Sequence, residues 1–364
     1  MKLIYTILGA RPQFIKAAPL SKEINSKYND TLKEEIIHTG QHFDENMSGK
    51  FFEELQIKQP KYHLNINKGT HGANTGRMIE GVEEILIKKK PNAVIVYGDT
   101  NSTLAGALAA SKLSIPIFHI ESGLRSFNRK QPEEQNRVLT DHLSELCFAP
   151  TNQSVLNLLN ESINKDRIIK TGDIMADSMR IFKEKANERN FLLKKFNIEN
   201  QNFILLTLHR QENVDYKEIL YSILKGISNI KLPIIFPLHP RTKEKINKFG
   251  LNHLLKNFII LEPLGFIDMM FLEKNASLIV TDSGGIQKEA YFQKTPCITL
   301  RKETEWVELI EHGWNKLTSP SDSKEIENSI NHELNNNLKR KNINLYGQGY
   351  ASKEILESIM KFFN

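Results

Sequence analysis

The chain has 364 residues, with 49 basic and 43 acidic side chains and a formal charge of +6. Hydrophobic residues make up 40% and charged residues 25%, a globular composition that excludes a disordered chain. The length suggests two domains of about 150–200 residues, no run of about 18 apolar residues exists to span a membrane, and so small a charge does not mark a nucleic-acid binder.

The N-terminus, MKLIYTILGARPQ, reads as a buried first strand rather than a signal peptide, because no small-residue cleavage site follows the apolar stretch. Strand-like runs then follow in order: EEIIHTG (34–40), AVIVYGD (93–99), IPIFHIE (115–121), LCFAP (146–150) and RIIKTGD (167–173). Between them lie helical patterns at 12–25, 47–56, 76–90, 102–113 and 132–145. The runs are rich in Ile and Val and nearly continuous, as strands buried on both faces by crossover helices should be. A charged helical stretch near 180–200 precedes a second series: FILLTLH (203–209), LPIIFPLH (232–239), FIILEPL (258–264), SLIVTD (277–282) and TPCITL (295–300). Helical patterns at 216–230, 267–276 and 285–293 alternate with these, and 351–363 closes the chain as an amphipathic helix. The fold class is α/β, with two doubly wound parallel sheets. Cys147 and Cys297, the only cysteines, sit in apolar runs and read as reduced thiols of a cytoplasmic protein, which excludes a disulfide framework and a cysteine-based metal cluster.

Open parallel sheets bind ligands at the carboxyl ends of their strands, so the polar residues that follow the strands carry the functional signal. Arg11 and Lys16 bracket the start of the first helix, either as an oxyanion or phosphate site or as helix-surface charges. The turn there is not GxGxxG, which weighs against nicotinamide and flavin cofactors. Asp99 ends one strand and Glu121 the next, while Glu133 and Glu134 open a helix; each has a bland reading as a cap or a dipole partner. Together, Asp99, Glu121 and Glu133 are three carboxylates at one sheet edge, which suits general acid and base chemistry. In the second half His209 ends a strand, and Ser283, Gly284 and Gly285 stand between a buried strand and a helix. Backbone amides there can cradle a diphosphate, with Glu289 one turn on to accept ribose hydroxyls; the alternative is a glycine turn capped by Ser283. No metal-binding, Walker or GxSxG motif occurs.

The ordered set GARPQFIK, GDTNST, HIESGLRS, PEEQNR, LTLHRQEN, TDSGGIQKEA and LYGQGYAS resembles the non-hydrolysing UDP-N-acetylglucosamine 2-epimerases over nearly the whole chain. The resemblance implies a glycosyltransferase-B fold of two Rossmann-like domains facing across a cleft: 1–172 joined by the C-terminal helix 350–364, and a UDP-binding domain at 173–349. It implies no metal and no cofactor, a UDP-sugar substrate, and a cytoplasmic homodimer serving surface-polysaccharide synthesis. The reaction implied is elimination of UDP to a 2-acetamidoglucal and its return with the C2 proton on the other face. Asp99, Glu121 and Glu133 match the acid/base residues and His209 the histidine that helps UDP depart. Arg137, Arg11 and Lys16 match residues that stabilise charge, and Ser283, Gly284, Gly285 and Glu289 match those that bind the nucleotide. Three positions depart from the common pattern. Trp306 replaces the arginine of a TERPE motif. Asp44, in a segment that keeps Gln41 and His42, stands where members with an allosteric UDP-GlcNAc site have glutamine. Gln13 replaces an acid in the first loop. These variants resemble the branch acting on UDP-2,3-diacetamido-2,3-dideoxy-glucuronate; a glycosyltransferase of the same fold is the further alternative.

Overall fold

The structure, a computed structural model, describes residues 1–41, 52–198, 202–335, 340 and 343–364. His42 and Asp44, and the first half of the helix expected at 47–56, lie outside the described residues. The chain forms two compact units, Met1–Ile181 with Asn344–Asn364, and Phe182–Ile343.

The first unit is built on seven parallel strands: β1 Lys2–Leu8, β2 Leu32–His38, β3 Tyr62–His63, β4 Ala93–Tyr97, β5 Ile117–Ile120, β6 Leu146–Ala149 and β7 Ile168–Lys170, in the order β3-β2-β1-β4-β5-β6-β7. Residues on both faces of β4 are fully buried, so its sequence shows no alternation. The crossover helices Arg11–Lys27, His71–Lys89, Asn101–Lys112 and Pro132–Leu143 cover the sheet. Tyr5, Ile7, Val94, Val96, Val82 and Leu86 form a main core cluster. At Gly9 the need for glycine is a close approach rather than an unusual φ. A Cβ there would stand 2.0 Å from Ser102 Oγ and 2.1 Å from Thr39 Oγ1, so any side chain would force the helix Asn101–Lys112 away from the end of β1.

The second unit repeats the plan with six parallel strands: β8 Ile204–Thr207, β9 Ile234–Pro237, β10 Phe258–Leu261, β11 Leu278–Thr281, β12 Cys297–Thr299 and β13 Asn315–Leu317, in the order β10-β9-β8-β11-β12-β13. Ile204, Leu206, Phe236, Val280 and Ile298 meet Leu220, Ile223, Leu224 and Ile326 from the covering helices. Strand order reverses between β1 and β4 in one unit and between β8 and β11 in the other, the switch points where such sheets hold ligands. β3 and β13 were not anticipated; with two and three residues they are too short to carry a period.

The last helix, Ala351–Phe363, belongs to the first unit and packs on Arg11–Lys27. Buried Asp177 caps it, accepting from Ala351 N (3.0 Å), Ser352 N (2.9 Å) and Ser352 Oγ (2.6 Å), while Phe362 meets Phe118 edge-on. Both cysteines are free and buried, and burial pushes the Cys297 thiol up to about 12. Among the described residues no helix is long and apolar enough to cross a membrane.

Candidate active site

In the first unit, the ends of β1, β4 and β5 bring together two ion pairs. Lys16, one turn into the first helix, pairs with Glu121 just after β5, and both side chains are largely buried. Lys16 is therefore not a surface charge. Glu121 adopts φ +71°, a left-handed conformation that costs a non-glycine residue about 1–3 kcal/mol. Gly98, with φ +62°, lies alongside: a Cβ on it would stand 3.1 Å from Glu121 Oε2 and 3.4 Å from Lys16 Nζ. A side chain at position 98 would press directly on the pair.

Asp99 forms the second pair, with Arg137 Nη2. It is not the cap of the following helix. That role falls to Thr100, whose side chain accepts from Thr103 N at 3.2 Å, which leaves the Asp99 carboxylate for the arginine. Arg137 also donates to Glu134 Oε2 at 3.0 Å. Glu134 is 3% exposed and further accepts from Ser126 N (2.8 Å), Ser126 Oγ (3.0 Å) and Phe127 N (2.9 Å). Glu133, the expected partner in this cluster, is exposed on the first turn of Pro132–Leu143, and its neighbour Glu134 takes the arginine. Arg11 is half-buried at the first position of its helix.

Beneath these groups lies a buried network that the sequence reading did not name. His119, on β5, directs Nδ1 to Asp141 Oδ1 at 2.6 Å and Nε2 to the Gly98 carbonyl at 2.7 Å. Asp141 also accepts from Gly123 N (3.1 Å) and Arg125 Nη1 (2.8 Å), and Arg125 reaches Glu161 through two bonds of 2.7 Å. Burial alone would raise the Asp141 pKa, but His119 and Arg125 outweigh it and hold the carboxyl below its usual range. The network grips Gly98, His119 and Gly123 and so fixes the backbone on which Glu121 and Asp99 stand. One signal pointed to it: His119 is a polar residue inside the apolar run IPIFHIE.

Gln13 replaces an acid for a visible reason. Its Oε1 accepts from Gly9 N (2.8 Å) and Ala10 N (3.0 Å), while its Nε2 donates to Tyr97 O (3.0 Å) and Thr103 Oγ1 (2.9 Å). An ionised acid has no donor for the last two.

In the second unit, Ser283 caps the helix Gly284–Gln293, its hydroxyl accepting from Ile286 N at 3.5 Å, so Gly284 and Gly285 supply first-turn amides at the helix N-terminus. The capping and cradle readings of this turn are compatible. Glu289 is 8% exposed, with Oε1 at 3.4 Å from the point where a Cβ on Gly285 would stand, so its carboxylate turns back toward that turn. Trp306 packs on the same turn: Nε1 donates to Gly284 O at 3.0 Å, and Lys288 Nζ lies 4.1 Å from the ring centroid. His209, at the end of β8, exposes 44% of its side chain. Its Nδ1 lies 3.3 Å from Asp282 Oδ1, and fully buried Asp282 also accepts from His209 N (3.1 Å), Arg210 N (3.0 Å) and Asn213 Nδ2 (3.2 Å). Asp282 thus locks both the backbone and the ring of His209, leaving Nε2 for a ligand. Asp282→Asn presents an amide where donors converge. Any turnover that depends on the His209 ring should fall roughly 10- to 100-fold with a much smaller change in ligand affinity, read as a kcat-against-KM split. Among the described residues no cluster of three or more His, Cys, Asp or Glu is arranged to hold a metal ion.

The sequence pattern of the family described as UDP-N-acetylglucosamine 2-epimerase matches residues 24–360. The chain is 49% identical over 361 residues to the UDP-N-acetylglucosamine 2-epimerase homolog of Methanococcus maripaludis, covering 98% of this chain and 99% of that one. The chain belongs to the UDP-N-acetylglucosamine 2-epimerase family. It is also 47% identical over 363 residues to the UDP-2,3-diacetamido-2,3-dideoxy-D-glucuronate 2-epimerase of Pseudomonas aeruginosa, covering 98% and 99% of the two chains. Among solved structures, it is similar to the Methanocaldococcus jannaschii UDP-GlcNAc 2-epimerase in complex with UDP-GlcNAc and UDP, with a TM-score of 0.91, 44% identity and 99% of each chain covered. The two parallel α/β sheets are those of the glycosyltransferase-B fold that this 2-epimerase family adopts.

Proposed function

We propose that the protein interconverts UDP-N-acetylglucosamine and UDP-N-acetylmannosamine without hydrolysis. The observation that carries this reading is the pair of ion-paired carboxylates, Asp99 with Arg137 and Glu121 with Lys16, at the ends of two adjacent strands in a chain of this family. The C2–H of the sugar is not acidic, so its removal needs a placed base and a leaving group stabilised as it departs. In the first step the C2–H and C1–O bonds break, a carboxylate takes the proton, and UDP leaves with the C1–O electron pair, giving a 2-acetamidoglucal. In the second, UDP attacks C1 and C2 receives a proton on the opposite face. Asp99 and Glu121 are the acid/base groups, and Glu133 is a third candidate by motif. Arg137, Lys16 and Arg11 balance charge. Ser283, Gly284 and Gly285 bind the diphosphate, Glu289 the ribose, and His209 assists departure and return of UDP. In this reading the second unit is the UDP-binding domain, and the enzyme is a cytoplasmic homodimer that feeds surface-polysaccharide synthesis.

The identity to the Pseudomonas relative, together with Trp306 packed where other members carry arginine, supports UDP-2,3-diacetamido-2,3-dideoxy-glucuronate as the alternative substrate. Both sugars should be incubated with the enzyme in parallel and followed by NMR of their anomeric and C2 protons. Faster appearance of the C2 epimer of UDP-GlcNAc is expected. Turnover of the uronate alone would transfer the reading to that branch, and turnover of neither without an added acceptor would point to a glycosyltransferase.

A further inference from the structure

A buried cation stands beside the helix turn assigned to the diphosphate, and the reaction above gives it no task. Arg301 follows β12 by two residues, and its side chain is 3% exposed. Neither Nη1 nor Nη2 makes a hydrogen bond among the described residues. Glu305 Oε2 lies 3.1 Å from Nη1, so the two charges offset each other, but the contact lacks the alignment of a hydrogen bond and leaves the guanidinium donors unspent. Buried donors in that condition cost free energy, and a guanidinium presents them in a fork that matches phosphate.

The place of the pair identifies the acceptor. A Cβ on Gly284 would stand 2.5 Å from Glu305 Oε1 and 3.9 Å from Arg301 Nη1, so both side chains reach the first residue of the helix Gly284–Gln293. The missing side chain at position 284 is what lets the carboxylate lie against that turn. An anion is favoured at a helix N-terminus, and Glu305 supplies one from within the chain. Trp306, the next residue, brings no charge to the turn; its indole N–H is donated to the Gly284 carbonyl.

We propose that Arg301 binds a phosphate of the UDP moiety at the turn Ser283–Gly285, and that Glu305 is the internal anion which this phosphate displaces from the arginine. This rests on reading Ser283–Gly285 as the diphosphate cradle. The phosphate takes over the charge of Glu305 and supplies oxygens along the directions of the Nη donors, so a misaligned ion pair is exchanged for charge-assisted hydrogen bonds. The exchange also sets a cation on the group that departs with the C1–O electron pair.

The test measures binding of UDP and of uridine to the full chain by calorimetry. The wild type should prefer UDP by about 100-fold or more. Arg301→Gln should lower UDP affinity about 10- to 100-fold and leave uridine unchanged, and Arg301→Lys, which keeps the charge but not the fork, should fall between. Glu305→Gln keeps the shape and removes the competing anion, so it should raise UDP affinity about 3- to 10-fold with uridine again unchanged. Equal binding of UDP and uridine by the wild type would overturn the cradle and the proposal with it. A wild-type preference that survives in Arg301→Gln, or an equal loss of both ligands there, would overturn the role of Arg301 only. A Glu305→Gln variant that binds UDP no better than the wild type would overturn the displacement, because the carboxylate would then brace the arginine rather than compete for it. Should Arg301→Gln fail to fold, Arg301→Lys and the near-isosteric Glu305→Gln decide by the same criteria.

Discussion

Glu121→Gln is expected to lower turnover about 100- to 10,000-fold, the usual effect of removing a placed acid or base, while UDP still binds. The amide matches the carboxylate in shape but cannot take or give the C2 proton, and it leaves Lys16 without its counter-charge. Glu121 sits at φ +71°, a conformation that costs a non-glycine residue about 1–3 kcal/mol and that clusters at functional sites. Asp99→Asn should lose a comparable factor through the Arg137 pair. The measurement is steady-state turnover alongside UDP affinity for each variant. Near-normal turnover in both would reduce these carboxylates to structural ion pairs. Unchanged turnover with weakened UDP binding would reassign them to substrate binding.

The second large effect is on stability. Asp141→Asn should cost about 3–5 kcal/mol, because it removes the anion that the buried His119 and Arg125 side chains share. The pH dependence follows from the same contacts. The folded Asp141 pKa is depressed, so its contribution is present above the ordinary carboxylate range and is lost as pH falls through the depressed value. Denaturant titrations across acidic pH should show this loss in the wild type and a flatter acid limb in the variant. A wild-type acid limb that survives unchanged in Asp141→Asn would show that other carboxylates dominate it. Because the network grips Gly98 and Gly123, turnover of the variant should also fall below its folded fraction.

The sheets were legible because parallel strands buried on both faces leave continuous Ile and Val runs, and the candidate site could be proposed because polar residues at the carboxyl ends of such runs have few structural reasons to be there. The limits were equally physical. Glu133 and Glu134 stand four and three residues before Arg137, and either spacing allows a helical pair; only the loop at Ser126 and Phe127, which needs an acceptor, selects Glu134. His119 and Asp141 lie 22 residues apart on different elements, a distance across which no local pattern operates. The TD of TDSGG reads as a strand end, yet Asp282 is what orients His209, a contact 73 residues away in sequence. Trp306 registered as a lost arginine, whereas its indole N–H closes on the Gly284 carbonyl and its ring carries Lys288.

Whether protons come and go at C2 is the most direct test of this account. The enzyme should be incubated with UDP-GlcNAc in deuterium oxide and the recovered nucleotide sugars examined by NMR and mass spectrometry. Deuterium should accumulate at C2 of both epimers, at a rate tied to their interconversion and suppressed in Glu121→Gln. Epimers that form with protium fully retained at C2 would contradict exchange through these carboxylates.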